Sequence, residues 1–367
     1  MIKSCYIHIP FCDDICSYCD FCKLFYNEKL VDLYLLSLEN EIKSIYNGEY
    51  LSTIYIGGGT PSCLSVSQLD KLLSIISSLN KDKNYEFTIE CNFESTTKEK
   101  LELFKKYGIN RLSFGLQSTD ENILKFLNRK IDKNKIDNIL KVARKLGFNN
   151  INIDLMYGIH FEDMNLLDYD LDYIFSLDVE HISTYSLIIE KNTILGINNI
   201  ESIDEDIDYL MYKEIINRMR ENGYKHYEIS NFAKEGKFSL HNLAYWNNDM
   251  YYGFGLGASS YIDNRRITNT KSINRYLKND FQYDVEILDE KSIIEYQIIL
   301  NLRKREGINL LDFYYKFNKK LIDLYNYNDL INSGLLVLDD NFLFIPEDKW
   351  YISNEIIVRL LGSEVNE

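Results

Sequence analysis

Residues 5–22 read CYIHIPFCDDICSYCDFC. Cys5–Ile9 (CYIHI) has the aromatic and β-branched make-up of a strand. Four cysteines then crowd into Cys12–Cys22, with Cys12, Cys16 and Cys19 spaced as CxxxCxxC on the loop that follows. A strand that runs into a loop of metal-ligand residues suits a fold whose site lies at the carboxyl ends of parallel strands.

The rest of the first 190 residues repeats that unit. Glu28–Tyr46 is expected to be a helix, with Leu30, Leu33, Tyr34, Leu38 and Ile42 at helical spacing. Strands are expected at Thr53–Ile56, Glu86–Glu90, Arg111–Gly115, Asn150–Leu155 and His181–Ile188, with helical stretches between them. An eight-unit barrel takes roughly 250 residues, so six units in this length fit an open (β/α)6 partial barrel. A doubly wound sheet is the competing α/β arrangement. The barrel is favoured by polar or glycine residues recurring near strand ends: His8, Gly57, Glu90, Gln117 and Asp154. Glu90 and Asp154 interrupt apolar runs and are costly there unless something pairs with them. A carboxylate bonded to nearby backbone amides is the plain alternative for either one.

After residue 200 the rhythm changes. Asp204–Asn222 is expected as a long amphipathic helix that stops at Gly223, followed by a less regular stretch to about residue 285. From Glu286 the pattern is helix–helix–strand–turn–strand–helix, with Asp339–Asn341 as the turn. The expected organisation is therefore 1–200 as the partial barrel, 201–285 as an α+β extension, and 286–367 as a small winged-helix-like domain.

The 367 residues are 46% hydrophobic and 26% charged, an ordinary globular mix with ample length for a core. A net charge of −15 speaks against non-specific nucleic-acid binding. The amino-terminal residues lack the pattern of a signal peptide, and no run of 18 apolar residues exists. Seven cysteines, an odd number clustered at one end, point to reduced thiols in a cytoplasmic protein rather than a disulfide scaffold.

Three thiolates within eight residues can hold three irons of a cubane cluster and leave the fourth open to a ligand. A tetrahedral zinc site made by Cys12, Cys16, Cys19 and Cys22 is the alternative, although the x3-x2-x2 spacing is unusual for zinc and no second CxxC pair follows. Gly57-Gly58-Gly59-Thr60-Pro61, after the second strand, lets backbone amides approach a ligand closely. Taken alone it is only a tight turn.

CxxxCxxC with an aromatic, Tyr18, before the third cysteine resembles the radical S-adenosylmethionine superfamily. The resemblance implies a [4Fe-4S] cluster on Cys12, Cys16 and Cys19 whose open iron chelates S-adenosylmethionine. YIHIPFC, GGGTP, LSFGLQS, LNRK and NIDLMYG narrow the likeness to oxygen-independent coproporphyrinogen III oxidases and the related HemW-type heme chaperones. By that likeness Tyr6, Gly58, Gly59, Thr60, Glu90, Gln117, Arg129 and Asp154 line the S-adenosylmethionine site.

Three features bear on the choice between these branches. The oxidases carry a long extension before the first strand, whereas here the first ligand is residue 12. Where the oxidases have a further cysteine two residues after the third ligand, this chain has Phe21, and Cys22 departs from both patterns. His241-Asn242-Leu243-Ala244-Tyr245-Trp246 matches the HNxxYW motif of the chaperone branch. There His241 is the expected heme contact, sharing a helical face with Tyr245. A hydrogen-bonded structural histidine is the alternative. Gly253–Ile262 (GFGLGASSYI) is similar to the family's glycine-rich stretch, and Arg265-Arg266 is either a propionate partner or a solvated pair. The expected function is thus a heme chaperone that binds heme, a [4Fe-4S] cluster and S-adenosylmethionine. Its expected partners are a heme-acceptor protein and a reductant such as flavodoxin or ferredoxin, with membrane contact only through a partner. Oxidative decarboxylation of the porphyrinogen is the alternative.

Overall fold

The computed structural model describes residues 1–363; the last four residues of the carboxyl-terminal segment lie outside it. Six strands lie side by side in chain order and all run parallel: β1 (Ser4–Ile9), β2 (Leu51–Gly58), β3 (Lys81–Cys91), β4 (Arg111–Gln117), β5 (Ile151–Tyr157) and β6 (His181–Ser186). Apart from the exposed first half of β3, they are buried along most of their length, as parallel strands covered by helices must be. Each crossover is a helix with a local start signal. Asn27 caps α1 (Glu28–Ile45), and Ser65 and Gln68 form a reciprocal capping box at α2 (Val66–Ile76). Thr97 caps α3 (Lys98–Lys106), Asp120 caps α4 (Glu121–Phe126) and Asp132 caps α5 (Lys133–Lys145). The buried stripe of α1 is Val31, Tyr34, Leu35, Leu38 and Ile42. Leu33, expected in that stripe, is 52% exposed, because Val31 and Leu35 flank Tyr34 more closely on the core side.

The sheet does not close, and an open barrel leaves two unpaired edges. The segment after residue 200 covers both. Helix Glu205–Glu221 leads into a hairpin, β7 (Lys225–Glu228) and β8 (Asn231–Ala233), whose second strand pairs antiparallel with β6. Helix Leu240–Trp246 then carries the chain across to the other edge, where β9 (Tyr251–Phe254) pairs parallel with β1. A meander of β10 (Ser259–Ile262), β11 (Arg265–Asn269) and β12 (Gln282–Ile287) continues outward. The result is one sheet of twelve strands in the order β12-β11-β10-β9-β1-β2-β3-β4-β5-β6-β8-β7. The extension expected over 201–285 widens the barrel's own sheet, whose last strand ends at Ile287.

Glu41 ties this widening to the barrel. Its fully buried carboxylate accepts from Gly255 N at 2.8 Å, from Tyr276 Oη and from Asn269 Nδ2, each at 2.5 Å. Burial lifts its pKa to about 7, and those three donors pull it back down. The carboxyl-terminal residues build a separate core around Ile298, Phe313, Leu343, Trp350 and Leu360. It holds a three-stranded antiparallel sheet in which Phe342–Phe344 lies between Ile308–Asn309 and Val337–Asp339.

Candidate functional site: a cysteine-lined cavity in the barrel mouth

The loop after β1 is held in place by backbone bonds to neighbouring elements. Leu24 N donates to Pro10 O at 2.6 Å and Tyr26 N to Cys12 O at 2.8 Å, closing a two-strand clasp at the loop's base. Ser17 N donates to Leu127 O at 3.0 Å, and Asn128 Nδ2 to Ile15 O at 2.8 Å. The LNRK stretch after α4 thus clamps the cysteine loop from the barrel side.

Cys12, Cys16 and Cys19 all face one cavity of about 440 Å3. Thr60 Oγ1 donates to Cys12 Sγ at 3.6 Å, and Arg129 Nη1 to Cys16 Sγ at 3.8 Å. Arg129 is itself oriented by Gly115 O at 2.6 Å and Asn92 Oδ1 at 3.3 Å. Burial pushes the Cys12 thiol up to about 11 and also raises Cys19, so binding a metal here displaces protons. The donor set fits an iron–sulfur cluster. It consists of three free thiols on one loop, facing a roomy cavity, with a guanidinium and a hydroxyl directed at two of the sulfurs. Among the described residues no three His, Cys, Asp or Glu side chains converge as ligands of a single ion. A polynuclear cluster instead places each thiolate on a different iron. Cys22 points elsewhere, lining a second cavity behind the Cys19–Cys22 turn.

Each glycine of the GGGTP turn is required by a neighbour. A Cβ on Gly57 would lie 2.7 Å from the Glu90 carboxylate, and one on Gly59 would lie 2.7 Å from Phe11 O and 3.0 Å from Cys12 Sγ. Gly58 has φ +113°, a conformation closed to residues with a Cβ, and its Cβ would meet the His8 ring at 2.4 Å. The turn therefore packs between the cysteine loop and the acid on β3. Glu90 accepts from Gly58 N at 2.9 Å and from Tyr55 Oη at 2.8 Å. Burial holds it at about 7, against the pull of those two donors. Asp154 is also raised by burial, and Asn152 Nδ2 donates to it at 2.7 Å. Gln117 sits at φ 71° where β4 bulges against β5, a strained position of the kind found at binding sites.

The structure thus brings Tyr18, Gly58, Gly59, Thr60, Glu90, Gln117, Arg129 and Asp154 together with the three cysteines on one cavity. Tyr6 is not among them. It lines the second cavity, its hydroxyl 3.0 Å from His8 Nδ1, and the two cavities share Gly58 and Glu90 as a wall. His241 reaches neither. Its ring is 1% exposed and stacks on Tyr55 at 5.1 Å; Nδ1 lies 2.8 Å from the Thr53 hydroxyl and Nε2 2.9 Å from the Tyr245 hydroxyl. Both nitrogens are engaged, and burial, then Arg111, pushes its pKa down to about 3, so the ring is neutral in this arrangement. Its neighbours carry the motif outward: Asn242 reaches the cluster cavity and Tyr245 the second one. Arg265 is half exposed, and Arg266 lies over the Tyr296 ring at 4.0 Å.

Sequence reasoning missed Arg111. It is 2% exposed at the start of β4, lines the cavity, and its Nε has no hydrogen-bond partner. The signal was the one that marked Glu90 and Asp154, a charge set into an apolar strand. An orphaned guanidinium nitrogen and two carboxylates whose pKa burial raises make a wall that can bind a ligand's charged and hydroxyl groups.

Residues 6–174 match the Radical SAM superfamily. The chain is 36% identical to the heme chaperone HemW of Bacillus subtilis, over 98% of this chain and 100% of the relative. It is 33% identical to the heme chaperone HemW of Escherichia coli, over 78% of this chain and 79% of the relative. The fold is that of coproporphyrinogen III oxidase (HemN) from Escherichia coli, a radical SAM enzyme, with a TM-score of 0.86, 21% identity, and coverage of 97% of this chain and 89% of that one. A strand-end cysteine triad, a glycine turn that leaves no room for a Cβ, and a likeness that runs the whole length of a curated relative agree: the chain belongs to the HemW heme-chaperone family of the radical SAM superfamily.

Proposed function

We propose that this protein is a heme chaperone that holds a [4Fe-4S] cluster and S-adenosylmethionine, binds heme and delivers it to an acceptor protein. The full-length match to the Bacillus subtilis heme chaperone carries this reading. Cys12, Cys16 and Cys19 would hold the cluster, which when bound can pass an electron to the sulfonium of S-adenosylmethionine. Gly58–Thr60 offer close backbone approach, while Glu90 and Asp154 can accept hydrogen bonds from the ligand's amino and hydroxyl groups. Arg129 braces Cys16 and can meet a carboxylate. Cytoplasmic residence, an electron supply from a flavodoxin or ferredoxin, and membrane access through a partner belong to the same reading. Among the described residues no helix is long and apolar enough to cross a membrane.

The test is anaerobic reconstitution followed by two assays on the same preparation. Heme titration is expected to saturate at a fixed stoichiometry. Incubation with coproporphyrinogen III, S-adenosylmethionine and reductant is expected to yield no protoporphyrinogen. Turnover of the porphyrinogen without heme retention would replace the chaperone reading with oxidative decarboxylation.

A further inference from the structure

Arg111 is 2% exposed, yet among the described residues its guanidinium has neither a hydrogen bond nor an ion pair. An unpaired buried charge is among the most costly features a fold can carry. The side chain lines the cluster cavity, so its free donors border that space. Thr88, its register partner on β3, is fully buried, and its hydroxyl has no partner either. Two orphaned groups therefore sit side by side at one level of the barrel.

That level is the barrel floor. Gly115 O holds Arg129, which reaches Cys16 Sγ at the mouth. Arg111 begins the same strand, roughly 13 Å deeper than Gly115 at ~3.3 Å per residue. A carboxylate chelated at the cluster belongs to the mouth, so it is not the group that meets Arg111. Residues two apart on a strand share a face, which sets Ser113 above Arg111 and Glu90 above Thr88. Ser113 Oγ accepts from Asn152 Nδ2 at 2.8 Å, and its own proton remains to donate. The floor thus offers a planar fork and a hydroxyl as donors. Above it, Glu90 and Asp154 line the same cavity and repel a doubly charged ligand.

We propose that the barrel floor is a second ligand seat, distinct from the S-adenosylmethionine end, which takes a single carboxylate on Arg111 and Ser113. The inference rests on the reading that the mouth holds the cluster and S-adenosylmethionine, and it adds the chemical class of the group that lies beneath them. A guanidinium fork matches the two oxygens of a carboxylate, and Ser113 can donate to one of them. A phosphate would bring two charges toward Glu90 and Asp154, and a neutral ligand would leave Arg111 uncompensated.

The experiment titrates isotope-labelled propionate into cluster-loaded protein with S-adenosylmethionine present, read by broadening of its nuclear magnetic resonance signal and by the thermal unfolding midpoint. Wild type is expected to saturate with a Kd of about 1 mM and to gain thermal stability. Arg111→Met, close in length but uncharged, is expected to lose both effects. Arg111→Lys, which keeps the charge without the fork, is expected to bind about tenfold more weakly. Should Arg111→Met fail to fold, Arg111→Lys decides alone. Hemin added after propionate distinguishes the two sources of the carboxylate: displacement assigns the seat to a porphyrin side arm, and retention to a free acid. Wild type that binds no propionate, a variant that binds it as well as wild type, or inorganic phosphate that binds more tightly overturns the proposal. Cluster iron and S-adenosylmethionine binding are measured on the same wild-type preparation. If both persist while propionate fails to bind, only this proposal falls; if both are absent, the reading of the mouth falls with it.

Discussion

Protonation of His241 is a perturbation whose cost the structure sets. Burial and the Arg111 charge push its pKa down to about 3, against about 6.5 in an unfolded chain. Between those values the unfolded state binds a proton that the folded state refuses. Stability is therefore unaffected above pH 6.5 and falls as pH drops from there toward 3. At about 1.36 kcal/mol per unit, roughly 2 kcal/mol is lost by pH 5 on this account alone. His241→Gln does not titrate and can still bond Thr53 and Tyr245. Its stability at pH 7 should drop by only about 1 kcal/mol, the scale of one imperfect hydrogen bond. Its loss between pH 6.5 and 5 should be smaller than that of wild type by about 2 kcal/mol. His8, His181 and His226, also held down by burial, are common to both chains and cancel in the difference. Denaturant unfolding of the cluster-free protein at half-unit intervals from pH 4.5 to 7.5 measures this. Parallel pH profiles for the two chains would refute the claim that His241 is locked neutral.

Cys12→Ala, Cys16→Ala and Cys19→Ala should each abolish reconstituted cluster iron, whereas Cys22→Ala should leave iron content near wild type; metal analysis after anaerobic reconstitution decides. Gly58→Ala must adopt a disfavoured φ and push the His8 ring aside, so a loss of about 2–4 kcal/mol in unfolding free energy is expected, together with loss of S-adenosylmethionine binding by calorimetry. Glu41→Leu strands the Gly255 amide and the Asn269 and Tyr276 groups and should cost about 3–5 kcal/mol by denaturant unfolding, while Glu41→Gln should cost less than half of that. Because the Glu41 pKa is raised from 4.5 to about 7, the unfolded state binds fewer protons between those values. Its contribution to stability therefore declines as pH rises through that window, and Glu41→Gln should flatten the decline in a matched pH series.

The barrel strands and the three cysteines that line one cavity were legible because both are local. Strand β2 and its glycine turn are contiguous in sequence, and CxxxCxxC fits within eight residues. Where the extension attaches was not legible because its partners are distant. Tyr251–Phe254 pairs with Ser4–Ile7, and no neighbouring residue signals an attachment across the whole barrel. The outermost strand, Gln282–Ile287, is exposed at every position, so burial left no mark on it. His241 was correctly joined to Tyr245 by helical spacing. Which of the two faces a cavity depends on Thr53 and Tyr55 beneath them, and both belong to β2. Leu33 failed as a core residue for a similar reason: a stripe drawn through Leu30, Leu33 and Tyr34 is as helical as one through Val31, Tyr34 and Leu35. Only the packed sheet chooses between them.

The seat of β9 against β1 has a consequence for biogenesis. The cysteine loop leaves the ribosome long before the strand that carries it gains its second flank, which happens only after residue 254 has emerged. At ordinary synthesis rates of about 5–20 residues per second, the thiols spend some 12–50 seconds on a half-built support. A nascent chain halted before residue 251 would present its sulfurs on a frayed margin, open to oxidation and stray metals.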